Sequence, residues 1–458
     1  MARRIAVLNV VGLSPDMIGP HTPHLAALAA GGHMAPLEPP LPAVTCSVQS
    51  SMLTGLPVRD HCVVANGWFE RDLDEIRFWK QANTIVQGEK LWEAARRIDP
   101  SATTASMFWW FNMDSTADIA VTPRPQYLSG GRKLPDIWTN PPHLRQSLQE
   151  EFGTFPLFKF WGPGADITSS RWIAEASMRV EQLYEPAILL VYLPHLDYPL
   201  QRVGPSHESI PRELKAIDEV TGQLAAHCSE RGMEVLVLSE YAIDAVSDAV
   251  PINLALRNAG LLAVRNEEGG EHLDTAQSRA FAVVDHQVAH VYVRDSGVVA
   301  EVAAVLDGTP GIDLVLHGDE LREYALDTGR SGDIVAVANA DRWFCHDWWR
   351  TPDAAPDYQR TVDIHRKPGY DPRELLLARG WRGSRLRTAA KLLARSVGIN
   401  TPLDVISMDP SRVRGSHGRT PAMGAASPLI IAPPCIEDLP AVIPASGVQE
   451  LILRVLRG

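Results

Sequence analysis

Short apolar runs alternate along the chain with longer amphipathic stretches. Apolar runs of strand length cover residues 5–11 (IAVLNVV), 187–193 (AILLVYL) and 233–239 (MEVLVLS), with a further strand predicted at 333–339 (DIVAVAN). Continuously apolar runs of this length are typical of strands that are buried on both faces of a parallel sheet.

Helical patterns separate these runs and begin near residues 88 (GEKLWEAARRI), 169 (SSRWIAEASMRVEQLY) and 210 (IPRELKAIDEVTGQLAAHCSERG). Strands that alternate with helices predict an α/β fold with a mostly parallel central sheet and helices on both of its faces. We therefore predict one large α/β domain over residues 1–458, a length that suffices for such a core.

Two aromatic, proline-rich stretches interrupt the alternation, at about 107–165 and 341–372. Linkers are not rich in tryptophan, so we interpret both stretches as lid insertions over the edge of the sheet. Tryptophan together with arginine suits a pocket for a ring or an apolar group attached to an anion. A buried aromatic cluster within a lid is the alternative interpretation.

Charge and cysteine content exclude several classes of protein. With 43 Lys+Arg against 55 Asp+Glu the net charge is −12, which disfavours nucleic-acid and anionic-membrane partners. The five cysteines form no CxxC pair, so we expect neither a disulfide framework nor a thiolate zinc site, and we predict a cytoplasmic location. The N-terminal apolar run contains Asn9 and is followed by Pro15, which indicates a first strand rather than a signal peptide.

Polar side chains follow each of the first three predicted strands. Asn9 lies at the end of the first, His195 and Asp197 follow the second, and Glu240 follows the third. Ligand sites in parallel α/β sheets lie beyond the carboxyl ends of the strands. The sequence therefore predicts a site at this edge of the sheet, although a single residue of this kind can equally cap a helix or form a turn.

The segment PAVTCSVQSSMLTGLPVRDHCVVANG, at 42–67, contains three adjacent candidate nucleophiles at 45–47. Its threonine, TG dipeptide, PxxH and asparagine resemble the nucleophile segment of the alkaline phosphatase superfamily, in its type I phosphodiesterase/nucleotide pyrophosphatase branch. The resemblance implies that Thr45 is the nucleophile and that Asn66 binds a phosphoryl oxygen. Cys46 and Ser47 fall out of register, and Cys62 stands where the family has a glycine.

The resemblance extends from about residue 5 to 250 and again near 417, but several metal-ligand motifs are altered. Val11 stands where the family's first strand ends in aspartate, and Asn9 is on the same face of the strand as a neutral oxygen donor. The family's DxxxH motif aligns with Asp197 and Gln201, so the aspartate is kept and the histidine is replaced. Its SDHG motif aligns with Glu240 and Tyr241 in place of the aspartate and the histidine, and its GxHG motif gives His417.

By the same resemblance these residues are metal ligands. One ion would be held by Asp197, His417 and Gln201, and a second by Thr45, Glu240, Asn9 and Tyr241. The family implies zinc, whereas an oxygen-rich ligand set shifts the preference toward manganese, magnesium or calcium. His195 shares a face with Asp197 and could restore an imidazole.

Two further segments carry groups that could join the site. In VDIHRKPGYDP, Asp363 and His365 are candidate replacement ligands, and Arg366 and Lys367 are candidate phosphate-binding residues, together with Tyr241. In DHQVAHVYV, at 285–293, we favour packing and hydrogen-bonding roles for the acidic and histidine residues over metal binding.

The resemblance implies a metal-dependent hydrolase of a phosphodiester or pyrophosphate bond in a small phosphorylated substrate. Metal stabilisation of an alkoxide makes a threonine competent to attack phosphorus, which would give a covalent phospho-threonine. The alternatives are a hydrolase of a phosphomonoester or phosphonate on the same scaffold, and a non-catalytic member that binds a phosphorylated ligand. A sulfatase is disfavoured because the modified residue of that branch falls in the register of Thr45.

Overall fold

A large mixed sheet forms the centre of the protein in a computed structural model that describes residues 3–129, 133–378, 404–424 and 426–458. Its nine strands, in spatial order, are β23 (Ile443–Pro444), β2 (His33–Glu38), β22 (Leu429–Ala432), β11 (Met233–Leu238), β1 (Arg4–Val10), β10 (Ile188–Leu193), β5 (Thr104–Met107), β6 (Ile119–Pro123) and β9 (Ile137–Asn140). The five strands from β11 to β6 are parallel, while β22 and β9 pair antiparallel with their neighbours.

The three predicted central strands are confirmed as β1, β10 and β11. β1 lies between the other two, and its register pairs Asn9 with Tyr192 on one side and with Leu238 on the other. Every residue of β10 is buried, as expected for a strand that is covered on both faces. The register brings the carboxyl ends of these three strands to one edge of the sheet.

Helices flank this sheet, and the three predicted helices are confirmed as α4, α7 and α9. In the described ranges the helices are α1 (Pro23–Gly31), α2 (Thr45–Thr54), α3 (Val58–His61), α4 (Leu91–Ile98), α5 (Leu144–Phe152), α6 (Leu157–Phe160), α7 (Thr168–Tyr184), α8 (Asp197–Val203), α9 (Ile210–Glu230), α10 (Ile252–Asn258), α11 (Val299–Asp307), α12 (Glu320–Glu323) and α13 (Val448–Arg457). Of these, α10, α11 and α12 pack outside the main sheet. α7 and α9 pack together against β10 and β11, whereas α13 packs against β1 beside α2 and α4. The predicted α/β class is confirmed.

A second sheet of four antiparallel strands has its own hydrophobic cluster. Its strands, in spatial order, are β16 (Ala280–Asp285), β17 (Val288–Val293), β19 (Ile334–Ala338) and β18 (Ile312–His317). The run at 333–339 is therefore a strand, but the prediction that it lies in the parallel sheet is wrong, because β19 pairs antiparallel with β17 and β18. Burial on both faces gives the same apolar pattern in either kind of sheet.

Short two-stranded pairs and 3-10 helices lie outside the two larger sheets. Among the residues that the structure describes, five two-stranded pairs are β3 (Gly67–Glu70) with β4 (Glu75–Phe78), β7 (Gln126–Tyr127) with β8 (Lys133–Leu134), β12 (Asp244–Ala245) with β21 (Gly415–Ser416), β13 (Asp248–Pro251) with β20 (Arg342–Cys345), and β14 (Ala263–Glu267) with β15 (Gly270–Asp274). Short 3-10 helices cover Pro15–Met17, Asn83–Ile85, Ser296–Val298, Pro352–Ala354, Asp357–Arg360, Pro372–Leu375, Pro410–Arg412 and Ala445–Gly447.

The first predicted insertion, 107–165, contains sheet as well as loop, because it contributes β6 and β9 to the main sheet. Residues 130–132 of this insertion lie outside the described residues. The second, 341–372, begins with β20 and continues through two 3-10 helices. Across the part of the chain that the structure describes, no helix has both the length and the apolar composition that a membrane span requires.

Candidate active site

Thr45 is the first residue of α2, and the whole of this helix is buried. Two hydroxyl groups on the helix form hydrogen bonds with nearby backbone carbonyls: Ser47 donates to the carbonyl of Pro42, and Ser50 donates to that of Cys46. The hydroxyl of Thr45 instead lies 3.3 Å from the hydroxyl of Tyr241. Of the three adjacent candidates, Thr45 is thus the one whose side chain contacts the polar residues beyond the strands.

The thiol of Cys46 is a poor nucleophile in this position. Burial, followed by the charges of Asp285 and Glu240, raises its pKa well above the ordinary value. A thiol with a raised pKa carries almost no thiolate at neutral pH.

Two residues of the motif segment, one at the end of α2 and one at the end of α3, adopt a left-handed backbone conformation. Gly55 ends the helix in the left-handed conformation, with φ of 69°, and its N–H donates to the carbonyl of Ser51. Cys62 follows α3 and also adopts a left-handed conformation, with φ of 60°. Glycine is the residue that takes this conformation without steric cost. The departure from the family pattern at Cys62 therefore leaves a β-carbon where the backbone favours glycine.

Glu240, just beyond the end of β11, is fully buried and is held by two amides. Its Oε2 accepts hydrogen bonds from Nδ2 of Asn9 and Nε2 of Gln49, each at 2.7 Å. Burial raises the pKa of Glu240 to about 8, while hydrogen bonds from Gln49, Asn9 and Thr45 oppose that rise. Glu240 is therefore a proton acceptor of unusually high affinity next to the hydroxyl of Thr45.

Asp197, the first residue of α8, is held by the two residues that replace the family's histidines. Nε2 of Gln201 donates to its Oδ2 at 2.8 Å, and the hydroxyl of Tyr241 donates to its Oδ1 at 3.2 Å. The hydroxyl of Tyr370 donates in turn to Oε1 of Gln201 at 3.0 Å. Burial raises the pKa of Asp197 to about 7, whereas the hydrogen bonds from Gln201 and Tyr241 act to lower it.

His417 lies against the same residues through its ring. The ring stacks on that of Tyr241 with centroids 3.5 Å apart, and it lies 3.7 Å from the ring of His286. Nδ1 of His417 donates to the carbonyl of Ala43 at 2.8 Å. Its Nε2 is buried without a hydrogen-bond partner and lies 3.8 Å from Oδ1 of Asp197.

Asn66 follows α3 and is anchored on both sides. Its Oδ1 accepts a hydrogen bond from the backbone N–H of Cys46 at 3.0 Å, which places it beside the start of α2. Its own backbone N–H and Nδ2 donate to Asp285. The structure thus brings together Asn9, Thr45, Asn66, Asp197, Gln201, Glu240, Tyr241 and His417, all of which the sequence nominated.

Three other nominated side chains have partners elsewhere. His195 is buried, and its Nε2 lies 3.0 Å from Oε2 of Glu213 on α9. His365 is exposed, and its Nε2 lies 3.1 Å from the hydroxyl of Tyr127. Asp363 forms a 3.0 Å ion pair with Arg366. Their roles as replacement ligands stay predictions without a contact in the cluster to support them.

The two candidate phosphate-binding cations are also engaged by carboxylates. Arg366 is largely exposed and pairs with Asp363 as described above. Nζ of Lys367 is buried 3.0 Å from Asp371 and 2.9 Å from Glu374. Because two carboxylates already balance this ammonium, the geometry disfavours the predicted phosphate clamp.

The sequence did not assign Gln49 and Tyr370 to the site. For Asp285 and His286 it predicted packing and hydrogen bonding, but not that these contacts would reach the candidate site. Gln49 lies one helical turn after Thr45, so its spacing could have indicated a shared face of α2. The contacts of the other three residues join segments far apart in the chain, and no local pattern reports them.

An aromatic row lies next to the cluster and joins the two insertions. The ring of Tyr370 stacks on that of His286 at 3.6 Å and lies 5.6 Å from that of Trp161. Trp79 lies 6.2 Å from Tyr370 and 5.0 Å from Trp110. The backbone N–H of Trp110 donates to Oε1 of Gln49, which connects the row to Glu240.

Buried acceptors without hydrogen-bond partners lie at two places in the cluster where a divalent ion would fit. Oδ1 of Asp197 and Nε2 of His417 face each other as two acceptors, and buried acceptors of this kind need a cation or a donor between them. Beside Glu240, amide N–H groups hold Oε2, whereas Oε1 of Glu240 and Oδ1 of Asn9 are buried acceptors without a hydrogen-bond partner, so a cation fits there as well. Within the described ranges, no group of three or more histidine, cysteine, aspartate or glutamate residues could hold an ion.

The fold and this cluster define a class of protein, the phosphoric ester hydrolases built on the alkaline phosphatase scaffold. The family model of type I phosphodiesterase/nucleotide pyrophosphatase matches residues 5–371, so the chain belongs to that family. The predicted family and enzyme class are therefore confirmed. Members of the family depend on divalent metal ions. A search among curated proteins found no match.

Solved structures of the same fold include hydrolases with small phosphorylated ligands. An inactive variant of murine ectonucleotide pyrophosphatase/phosphodiesterase 5 in complex with AMP is 13% identical, with a TM-score of 0.60 over 99% of this chain and 95% of that chain. Phosphonoacetate hydrolase from Sinorhizobium meliloti with phosphonoformate is also 13% identical, with a TM-score of 0.61 over the same shares. At this identity the likeness shows the fold.

Proposed function

We propose that the protein hydrolyses a phosphodiester or pyrophosphate bond in a small phosphorylated substrate, with Thr45 as the nucleophile. The observation that carries this proposal is the convergence of Thr45, Glu240, Tyr241 and Asn66 in one buried cluster at the start of α2. A hydroxyl that attacks phosphorus needs a proton acceptor and donors for the phosphoryl oxygens, and these residues supply both.

In the first step, Oγ1 of Thr45 forms a bond to phosphorus and its proton passes to the carboxylate of Glu240. The bond from phosphorus to the leaving oxygen breaks, which leaves a phospho-threonine. Water then attacks phosphorus on the covalent intermediate, the bond from phosphorus to Oγ1 breaks, and Glu240 returns its proton to Oγ1 of Thr45. The leaving oxygen departs as an anion, and the proton that the attacking water gives up to the solvent balances the proton that this oxygen takes from it. The raised pKa of Glu240, about 8, matches this role because a general base works best when its pKa lies near the working pH.

Asn66 and the start of α2 are suited to bind the phosphoryl oxygens. Nδ2 of Asn66 has two hydrogens, of which Asp285 accepts one, so the second is free to bind an oxygen of the substrate. Thr45 is the first residue of a ten-residue helix, where the helix dipole favours negative charge.

A divalent ion held by Asp197 and His417 would supply positive charge that the cluster otherwise lacks. Asp197, Glu240 and Asp285 are all buried there, and a phosphoryl anion beside them is unfavourable without a counter-charge. When bound, the ion would neutralise the phosphoryl oxygens. Zinc is the metal that the family implies, and the oxygen-rich surroundings extend the proposal to manganese or magnesium.

The aromatic row suits the non-phosphate part of the substrate. Trp79, Trp110 and Trp161 are partly exposed beside the buried cluster, and their ring faces can accept a planar or apolar group. AMP in the murine neighbour agrees with a small phosphorylated ligand. We also propose a cytoplasmic location, which the five free cysteines support.

The second candidate is phosphonate or phosphomonoester hydrolysis at the same site. The phosphonoacetate hydrolase fold gives this candidate its support. A non-catalytic member that binds a phosphorylated ligand is the third, since Gln201 and Tyr241 stand in place of the family's histidines. All three candidates use the same cluster of residues, so a panel of substrates separates them.

The test is turnover of bis(p-nitrophenyl) phosphate, p-nitrophenyl phosphate and phosphonoacetate in a screen of zinc, manganese and magnesium. We expect Thr45→Ala to abolish turnover and Thr45→Ser to retain part of it. Ser50→Ala is the matched control, because its hydroxyl bonds to the carbonyl of Cys46 on the same helix. If the wild type turns over none of these compounds, or if Thr45→Ala keeps its activity, the proposal fails.

A further inference from the structure

The tip of the hairpin between β16 and β17 enters the active-site cluster from the second sheet. It consists of Asp285, His286 and Gln287, and all three are buried. His286 has φ of 60°, a left-handed conformation that is costly for a residue with a β-carbon. Backbone bonds from Phe344 to the carbonyl of His286 and from Gln287 to that of His417 hold this conformation. The tip is thus fixed against the active-site cluster at a conformational cost.

Asp285 uses both carboxylate oxygens to hold Asn66. Its Oδ2 accepts the backbone N–H of Asn66 at 2.7 Å, and its Oδ1 accepts Nδ2 of the same residue at 3.1 Å. Oδ1 also accepts Nδ1 of His286 at 2.7 Å. A carboxylate presents acceptors only, so it forces the Nδ2 side of the Asn66 amide toward itself.

This orientation decides what Asn66 can offer a substrate. With Nδ2 toward Asp285 and Oδ1 toward the N–H of Cys46, both ends of the amide are fixed. The second hydrogen of Nδ2 is then the group left to meet a phosphoryl oxygen. If the amide were flipped, its oxygen would face that position and would repel an anion.

We propose that Asp285 is a positioning residue of the hydrolase, which fixes the Asn66 amide with its N–H toward the transferred phosphoryl group. The inference rests on the proposed function. It explains why the hairpin tip holds Asn66 in a fixed orientation, which packing alone does not explain. Donors that are oriented before the reaction stabilise developing negative charge without reorganisation, and loss of one such donor typically costs about 100- to 1,000-fold in kcat.

The test is a double-mutant cycle with Asp285→Asn and Asn66→Ala. Asparagine keeps the shape of Asp285 but replaces one of its two acceptor oxygens with an NH2 donor. The side chain can then no longer accept both the backbone N–H and the Nδ2 hydrogen of Asn66. We expect each single variant to lower kcat for bis(p-nitrophenyl) phosphate by about 10- to 1,000-fold, with little change in KM. We expect the double variant to match Asn66→Ala alone, because Asp285 acts through Asn66.

Gln287→Ala is the matched control, since Gln287 lies on the same hairpin tip but donates to the carbonyls of Ala340 and Arg342. It should reduce stability without lowering kcat by more than about threefold. Independent, multiplicative losses in the double variant would overturn the inference, as would an equal loss in the control.

A second measurement separates this inference from the proposed function. If the wild type has no turnover, calorimetric titration with orthovanadate replaces kinetics as the readout. Two results together would support the positioning role of Asp285 even in a protein that is not a hydrolase. Asp285→Asn should bind vanadate more weakly than the wild type, and the double variant should bind it as tightly as Asn66→Ala alone. Equal vanadate affinity of all variants, or no binding to any, would overturn the inference.

Discussion

Replacement of Glu240 by glutamine should move activity and stability in opposite directions. Glutamine has the same shape, and its carbonyl oxygen can still accept the amide N–H groups of Asn9 and Gln49, which lie 2.7 Å from the present carboxylate oxygen. What the substitution removes is the proton acceptor beside Thr45. General base catalysis contributes typically about 100- to 10,000-fold, so kcat should fall within that range.

Stability should rise because the charged form of Glu240 is unfavourable when buried. Its pKa of about 8 means that the folded protein binds a proton between pH 5 and 8 that the unfolded chain releases, so the Glu240 contribution to stability falls as pH rises through this window. Each unit of pKa corresponds to about 1.4 kcal/mol. We expect Glu240→Gln to raise the free energy of unfolding by about 1–3 kcal/mol at pH 9, and by much less at pH 5.

The assay is urea unfolding of the metal-free protein at pH 5, 7 and 9 in EDTA. Steady-state kinetics are measured separately at the same pH values, without EDTA and with the divalent ion that supports turnover. The wild type should lose stability relative to the variant as pH increases, while its kcat should rise toward an alkaline plateau as Glu240 loses its proton. A variant that keeps wild-type kcat would refute the role of Glu240 as base. A stability difference that does not depend on pH would refute the account of its burial.

Three further predictions concern backbone strain, the buried ion network and the metal. Cys62→Gly should raise the free energy of unfolding by about 0.5–1 kcal/mol in urea, because φ of 60° favours glycine, whereas Cys62→Ala should give no gain. Lys367→Met should lower stability by about 3 kcal/mol or more in the same assay, since Glu374 would lose its buried ammonium partner and Asp371 would keep only Arg373 as a cation. His417→Gln should weaken manganese binding at least tenfold in calorimetry, and unchanged affinity would exclude His417 as a ligand.

The sequence was sufficient to predict the central sheet because buried parallel strands produce apolar runs that few other elements produce. β1, β10 and β11 were found within a residue or two. The same rule misassigned β19, because a strand buried in the second sheet has the same pattern. Pattern thus predicts that a strand is buried, but it does not predict which sheet contains it.

The convergence of the candidate site was predictable where residues follow strands or match the family motif, as Thr45, Asn66, Asp197, Glu240 and His417 do. Prediction failed where a contact depends on tertiary structure. Asp285 reaches Asn66 across 219 positions of the chain, and a hairpin of the second sheet delivers it. Lys367 looked like a free cation in sequence, and only the fold shows the two carboxylates that enclose it.

Peptide mass spectrometry of rapidly acid-quenched enzyme measures directly whether Thr45 carries the phosphoryl group. During turnover of bis(p-nitrophenyl) phosphate, the peptide that contains Thr45 should gain a p-nitrophenyl phosphoryl group, and the site of modification should be the threonine. The Thr45→Ala variant should show no such peptide. A modification on Cys46 or Ser47, or rapid turnover without any modified peptide, would contradict the account.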